Sequence, residues 1–347
     1  WADVLHKTTP KNKAPFIVPY NANLSIGGVL SAGGIGSSSF KYGSINAHVE
    51  ALEIIDSTGT LHEVDNNSLL FEACLSGQGL FGVITKAKIR LRPVKSRVKT
   101  FYFVYADPQQ WFADMSAIRE RADYLEAFCS PSIQGTALKG SIRVPIAQWL
   151  YTLQVTIEYE TKAPELQDIL ELMSPWKVVH VQEESLLSYF LRHDIRFDMM
   201  KNLGQWDLLH PWYENFVPSN VLETHLESIL QELPLHYANI VHVVPVAPQP
   251  GGFLMLPAEA GIYSLMILNP GVPNILKDSC IETIHALDAQ LIPLGGKRYL
   301  SGFLGKEIPH NYWSKHFGKR YPEWLERKKI LDPSGIFTSR LYAGREF

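Results

Sequence analysis

Apolar and polar positions along the chain repeat with two periods. From Leu52 to Val64 (LEIIDSTGTLHEV), two β-prone runs flank Asp-Ser-Thr-Gly, which predicts a hairpin. In VITKAKIRL, Val83, Thr85, Ala87, Ile89 and Leu91 share one parity and Lys86, Lys88 and Arg90 the other. That alternation predicts a strand with one wet face, closed by Pro93. Arg97–Tyr105, Trp149–Glu158 and Gly261–Leu268 read as further strands, and Ser68–Leu75 as a short helix. Asp107 followed by Pro108 predicts a capped helix start. Pro164–Met173, Val217–Leu233 and Pro273–Leu287 carry helical spacing, the second with Ser219 or Asn220 as its cap. Strands alternating with helices over about 200 residues after residue 95 predict an α+β or α/β domain.

Two stretches break these periods. Leu24–Gly43 (LSIGGVLSAGGIGSSSFKYG) holds six glycines and five serines in twenty residues, and Ser76–Gly82 (SGQGLFG) is a second cluster. Such a stretch is a linker, a tight turn packed under a strand, or backbone wrapped closely around a ligand, where successive N–H groups make a nest for anions. The first cluster is not a Rossmann fingerprint, because no long helix with an acid about 20 residues on follows it. It is not a P-loop either, since no Gly-Lys-Ser/Thr closes it.

Bulk properties narrow the classes. A chain of 347 residues builds a large core in two or three domains, and 46% apolar with 19% charged residues is ordinary for a globular protein. A net charge of -3, with both signs interspersed, gives no nucleic-acid footprint. Cys74, Cys129 and Cys280 are odd in number and widely spaced, so neither a disulfide framework nor a cysteine zinc site is expected, and no other metal motif is present. The chain starts at Trp1, without a signal-peptide pattern, and has no apolar run of 18 residues. A soluble, cytoplasmic protein without a membrane span is the expectation.

The order of motifs carries more than any one of them. The glycine-serine stretch, the hairpin, SGQGLFGVIT and the strand after it resemble the FAD-binding domain of flavin oxidoreductases of the vanillyl-alcohol oxidase (PCMH) type. The segment NLGQWDLLHPWYENFVP (Asn202–Pro218) resembles the LGLW…HPWLNxFVP pattern of the cytokinin dehydrogenases, as does the run from Trp313 through Trp324 and Lys328 to Asp332 and Pro333. The likeness covers most of the chain. It implies an α+β protein: residues 1–94 as the second half of an FAD-binding domain, 95–305 as a substrate domain with an antiparallel sheet and flanking helices, and 306–347 returning to the FAD domain.

The resemblance further implies FAD as cofactor, contacted by Gly28, Ser31, Gly33, Gly34, Ile35, Gly36 and Ser39 and by Gly79, Gly82, Val83 and Ile84. It implies oxidation of a C–N or C–OH bond of a small organic substrate by hydride transfer to flavin N5. The family has an aspartate before the glycine loop, in an APxxWTD pattern; here APFIVPY puts Tyr20 at that place. A phenol with a pKa near about 10 is a poor base, which leaves Tyr20 as a hydrogen-bond donor and His210 as a neutral-pH titrating candidate. It also leaves a non-catalytic binding protein on the same fold as the alternative. Trp206 and Trp212 are candidates for the wall of a planar-substrate pocket. Asp194 and Glu184 read as solvated, and Lys328 and Asp332 as part of a surface or inter-domain polar network. Family members carry a further glycine-rich cradle ahead of this stretch, so the front of the FAD domain is expected to be lacking, and a companion chain or cleaved segment to complete the FAD site. Half a site would otherwise leave apolar surface exposed.

Overall fold

The computed structural model describes residues 1–235, 237–238, 240–248, 261–299 and 312–338. The first part of the chain runs through α1 (Ala2–Thr8), β1 (Lys13–Pro15), α2 (Ile26–Ala32), α3 (Ser39–Tyr42), β2 (Val49–Ile55), β3 (Leu61–Asp65), α4 (Leu69–Cys74), β4 (Val83–Ile89) and β5 (Leu91–Pro93). The predicted hairpin is β2–β3, part of a three-stranded antiparallel sheet ordered β3-β2-β4, while β1 pairs with β5. Its turn is organised by the Asp56 carboxylate, which accepts the N–H groups of Thr58 (2.8 Å) and Thr60 (3.0 Å), with Gly59 at φ +83°. In β4 the simple alternation fails. A register shift against β2 reverses parity, so that Val83 is 51% exposed while Ile84, Ala87 and Ile89 turn toward the core.

The glycine-serine stretch is neither linker nor bare loop. Ser25 caps α2 by accepting Gly28 N–H (3.1 Å), and Gly33 ends it in the left-handed region at φ +87°. The two glycine clusters recur together because they pack on each other. Ser76 N–H donates to Leu30 O (2.9 Å), Gln78 N–H donates to Ser31 O (2.9 Å), and Asn46 Nδ2 bridges Leu30 O and Ser76 Oγ. A Cβ on Gly36 would lie 2.0 Å from Val18 O, so this close approach is to the protein's own backbone.

The second part begins with β6 (Arg97–Tyr105), α5 (Pro108–Ala117), β7 (Tyr124–Lys139), β8 (Ile142–Tyr159), α6 (Leu166–Leu170) and β9 (Lys177–Ser185). It continues through α7 (Leu186–Phe190), α8 (Asp194–Asn202), β10 (Tyr213–Pro218), α9 (Ser219–Glu232), β11 (Ile240–Val246), β12 (Ile262–Leu268), α10 (Lys277–Leu291) and β13 (Lys297–Arg298). The strands form one antiparallel sheet ordered β13-β10-β12-β11-β7-β8-β6-β9. Asp107 caps α5 as predicted, accepting Gln109 N–H at 2.9 Å. α6 is shorter than its pattern, and α9 starts at Ser219 without a side-chain cap. Phe101, Phe103, Trp111, Leu222, Leu226 and Ile284, among others, form a core between the sheet and α5, α9 and α10. The architecture is α+β.

Finally, α11 (Tyr312–Phe317) and α12 (Tyr321–Leu331) pack Trp313, Phe317 and Trp324 into the core of the first part. Trp1 and Leu5 are buried in that same core, at 6% and 0% exposure. Lys328 and Asp332 are buried, not at the surface as one reading had it. The Lys328 ammonium is paired with the Asp332 carboxylate and donates to Leu80 O (2.8 Å), which clamps the second glycine cluster. The 305/306 boundary drawn on the sequence lies outside the described residues. All three cysteines are free and buried. Among the described residues no helix is long and apolar enough to cross a membrane, and no group of three or more His, Cys, Asp or Glu is placed to hold a metal ion.

Candidate active site

Sheet register builds the floor of the site. Glu214 of β10 pairs with Met266 of β12, Met266 with His242 of β11, and His242 with Phe128 of β7. Directly paired residues point to the same face, so these four form one row across the sheet. Their neighbours Tyr213, Ile267, Val241 and Cys129 form the adjacent row on the opposite face and enter the helix-covered core. His242 stacks on Phe128 with ring centroids 4.3 Å apart.

The serine run docks the first part of the chain onto this sheet. Ser37 O accepts Leu125 N–H and Ser39 O accepts Ala247 N–H, both at 2.8 Å, while Ser39 Oγ accepts Gly36 N–H at 3.0 Å. Docking brings the segment from Pro19 to Leu24 and the face of α2 over the floor. Between them lies a cavity of about 490 Å³, within the range of small-molecule sites. Its wall takes Tyr20, Gly28, Gly34 and Ile35 from the first part, the floor row from the sheet, His193, Arg196, Phe197 and Met200 from and beside α8, and Trp206 and Trp212.

Of the residues singled out on the sequence, Tyr20, Gly28, Gly34, Ile35, Trp206 and Trp212 meet at this cavity. Ser31, Gly33, Gly36, Ser39, Gly79, Gly82, Val83 and Ile84 do not line it. His210 does not line it either; its ring packs against Trp206 (5.8 Å) and Trp212 (5.3 Å). Glu126, His193, Arg196 and His242 were missed. A lone Glu in the apolar run Tyr124–Cys129 and a lone His in IVHVVPV were the available signals, since a charge inside a buried strand requires a partner.

That partner is supplied from the end of α7. Glu126, 1% exposed, accepts Arg192 Nε (3.0 Å) on one oxygen and is bonded to His193 Nε2 (3.0 Å) on the other. Burial alone would raise its pKa, but Arg192 and then His193 outweigh it and hold the carboxyl well below the usual range. Burial, and next the Glu126 charge, push Tyr20 well above 10, so its hydroxyl stays protonated. Burial drives His242 down to about 3, so that imidazole is neutral near pH 7. Tyr20 Oη, His242 Nε2 and Asn269 Nδ2 are buried with no hydrogen-bond partner among the described residues. Buried polar groups of this kind are normally satisfied. Tyr20, His242 and Asn269 all line this cavity, whose aromatic walls suit a planar molecule, as a flavin or its substrate is.

Comparison with known proteins agrees with this geometry. Residues 96–340 match the family model described as cytokinin dehydrogenase 1, FAD and cytokinin binding, and residues 1–65 match the FAD binding domain model. The chain is similar to cytokinin dehydrogenase 2 of Arabidopsis thaliana, 25% identical over 372 residues, covering 97% of this chain and 73% of that protein. It is similar to cytokinin dehydrogenase 10 of Oryza sativa subsp. japonica, 26% identical over 384 residues, covering 97% and 68%. It also resembles an uncharacterized oxidoreductase of the fasciation locus of Rhodococcoides fascians, 25% identical over 351 residues, covering 97% and 76%. The match over residues 1–65 corrects two expectations, that the N-terminal FAD-binding domain is missing and that a companion chain is needed to complete the FAD site. FAD-binding sequence occupies this chain from its first residue, and its core is packed. FAD is the cofactor, and the chain belongs to the cytokinin dehydrogenase family of FAD-binding oxidoreductases.

Proposed function

We propose that this protein oxidises a C–N or C–OH bond of a small, flat organic substrate, with an N-alkylated adenine of the cytokinin class as the first compound to try. The observation that supports this reading is the cavity between α2 and the sheet floor, aromatic in its walls and lined by Tyr20, His242 and Asn269, residues that carry buried unpartnered polar atoms. When bound, FAD supplies the acceptor of two electrons and a hydride at N5. Residues of the segment from Pro19 to Ile35 that line the cavity would help to hold the cofactor. Phe128, Phe197, Trp206 and Trp212 supply flat faces for the substrate ring and exclude water from it. Tyr20, held protonated, donates a hydrogen bond to a substrate nitrogen or oxygen and orients the C–H bond. Arg196 has no hydrogen-bond partner for its guanidinium among the described residues, which supports a substrate with an electron-rich edge.

The test is anaerobic mixing of the FAD-loaded protein with isopentenyladenine and with a panel of benzylic and allylic amines and alcohols. Bleaching of the flavin's visible absorption by one of them is the expected result. A flavin that binds but is bleached by none would leave the protein a binding module, the reading favoured by Tyr20 at the place of the family's aspartate.

A further inference from the structure

With Tyr20 held protonated, the cavity needs another group to receive the substrate's N–H or O–H proton. Arg196 is a cation. His242 is sealed beneath Phe128 and Tyr20, at 4% exposure, where an imidazolium would be poorly solvated. His193 differs from both. It lines the cavity, its side chain is 23% exposed, and its ring lies 5.5 Å from that of Tyr20.

What sets His193 apart is its support. Arg192 and His193, adjacent in sequence, grip the two oxygens of Glu126, and Arg192 is itself stacked 3.8 Å over the Tyr189 ring. Because ionised Glu126 only accepts, the neutral imidazole carries its proton on Nε2 and keeps its lone pair on Nδ1. Nδ1 has no hydrogen-bond partner among the described residues. A carboxylate that fixes the tautomer and then stabilises the imidazolium is the arrangement that makes histidine an effective proton acceptor.

We propose that His193, oriented by Glu126, is the catalytic proton acceptor of this site. This rests on the oxidative function proposed above. The substrate N–H or O–H proton passes to Nδ1 of His193. The adjacent C–H bond breaks with its electron pair leaving as hydride to FAD, and a C=N or C=O bond forms in the substrate. The substrate loses two electrons, FAD gains them, and the Glu126 carboxylate balances the new positive charge. Arg192, Arg196, Tyr20 and His242 are charged or titratable groups near His193, Asp194 follows it in sequence, and Glu214 lines the same cavity.

The experiment compares wild type, His193→Gln, Glu126→Gln and Glu214→Gln, each loaded with FAD, in anaerobic stopped-flow reduction by isopentenyladenine or the most reactive amine or alcohol of the panel. Glutamine at position 193 can still donate to Glu126 but cannot take up a proton, so the fold and FAD content should persist. Expected are a loss of about 100-fold or more in the reduction rate for His193→Gln, with the acid limb of the rate–pH profile abolished, and a smaller loss for Glu126→Gln. Independently of turnover, the imidazole ¹⁵N spectrum of the holoprotein should show His193 with Nδ1 unprotonated and Nε2 protonated, a preference lost in Glu126→Gln. A His193→Gln rate within about threefold of wild type, or a Glu214→Gln variant that alone removes the acid limb, overturns the assignment while leaving the function standing. A wild-type flavin that no probe reduces overturns the function, and this assignment with it.

Discussion

His242 has Phe128 on one side and Tyr20 on the other, with Glu126, His193, Arg192 and Arg196 as its charged or titratable neighbours. Its folded pKa of about 3 lies below the unfolded value of 6.5, so between these the unfolded chain binds the extra proton. The His242 contribution to stability is therefore complete above about pH 6.5 and falls by about 1.4 kcal/mol for each pH unit between there and about pH 3, and His316, also driven down to about 3 by burial, adds a slope of the same sign. Urea unfolding at pH 7, 6 and 5 should show stability falling with pH in the wild type, and His242→Gln should make that fall shallower by about 1.4 kcal/mol per pH unit. Tyr20 offers a second test at this scale. Tyr20→Phe removes a hydroxyl that has no partner in the described structure, so folding should be unharmed or gain up to about 1 kcal/mol, while substrate binds about tenfold more weakly. Equal affinities for a reducing substrate, read from the flavin spectrum, would count against Tyr20 as a substrate ligand.

Among the elements, α9 shows pattern and packing agreeing. Leu222, Leu226, Ile229 and Leu230 recur at three and four residues and are all buried against the sheet. Leu226→Ala should cost about 2–5 kcal/mol, measured by urea unfolding, with the flavin environment little changed because α9 covers the face opposite the cavity. β4 shows pattern and packing disagreeing, since its parity was set by a shifted register against β2. Glycine-rich α2 went unseen for a related reason: its propensity is poor, and packing against Ile84 and capping by Ser25 hold it helical.

In the molecule as a whole, the C-terminal helices close the first core and fix the second glycine cluster through Lys328. Asp332→Asn leaves that buried ammonium without its counter-charge and should cost about 3–5 kcal/mol. Thermal unfolding should report it, together with faster proteolysis in the loop from Ser76 to Gly82. A variant as stable as wild type would mean that the ammonium relies on its carbonyl partners, Leu80 O and Phe337 O, alone.

From sequence alone came the hairpin, the strands β6, β8 and β12 and the helices α5, α6, α9 and α10 of the second part, the α+β class and the resemblance to flavin oxidoreductases. These rest on local periodicity, turn chemistry and motif order, which act over a few residues or survive as strings. Tertiary structure decided what faces the cavity. Glu126 and His193 are 67 residues apart, and Phe128, His242, Met266 and Glu214 become one row only when four strands take their register. It also showed that much of the opening glycine-serine run is shaped by its own packing: Gly36 meets Val18 O, and Ser37 and Ser39 tie the first part to the sheet. A side chain's neighbours across a sheet depend on pairing between distant segments, and no local pattern encodes that.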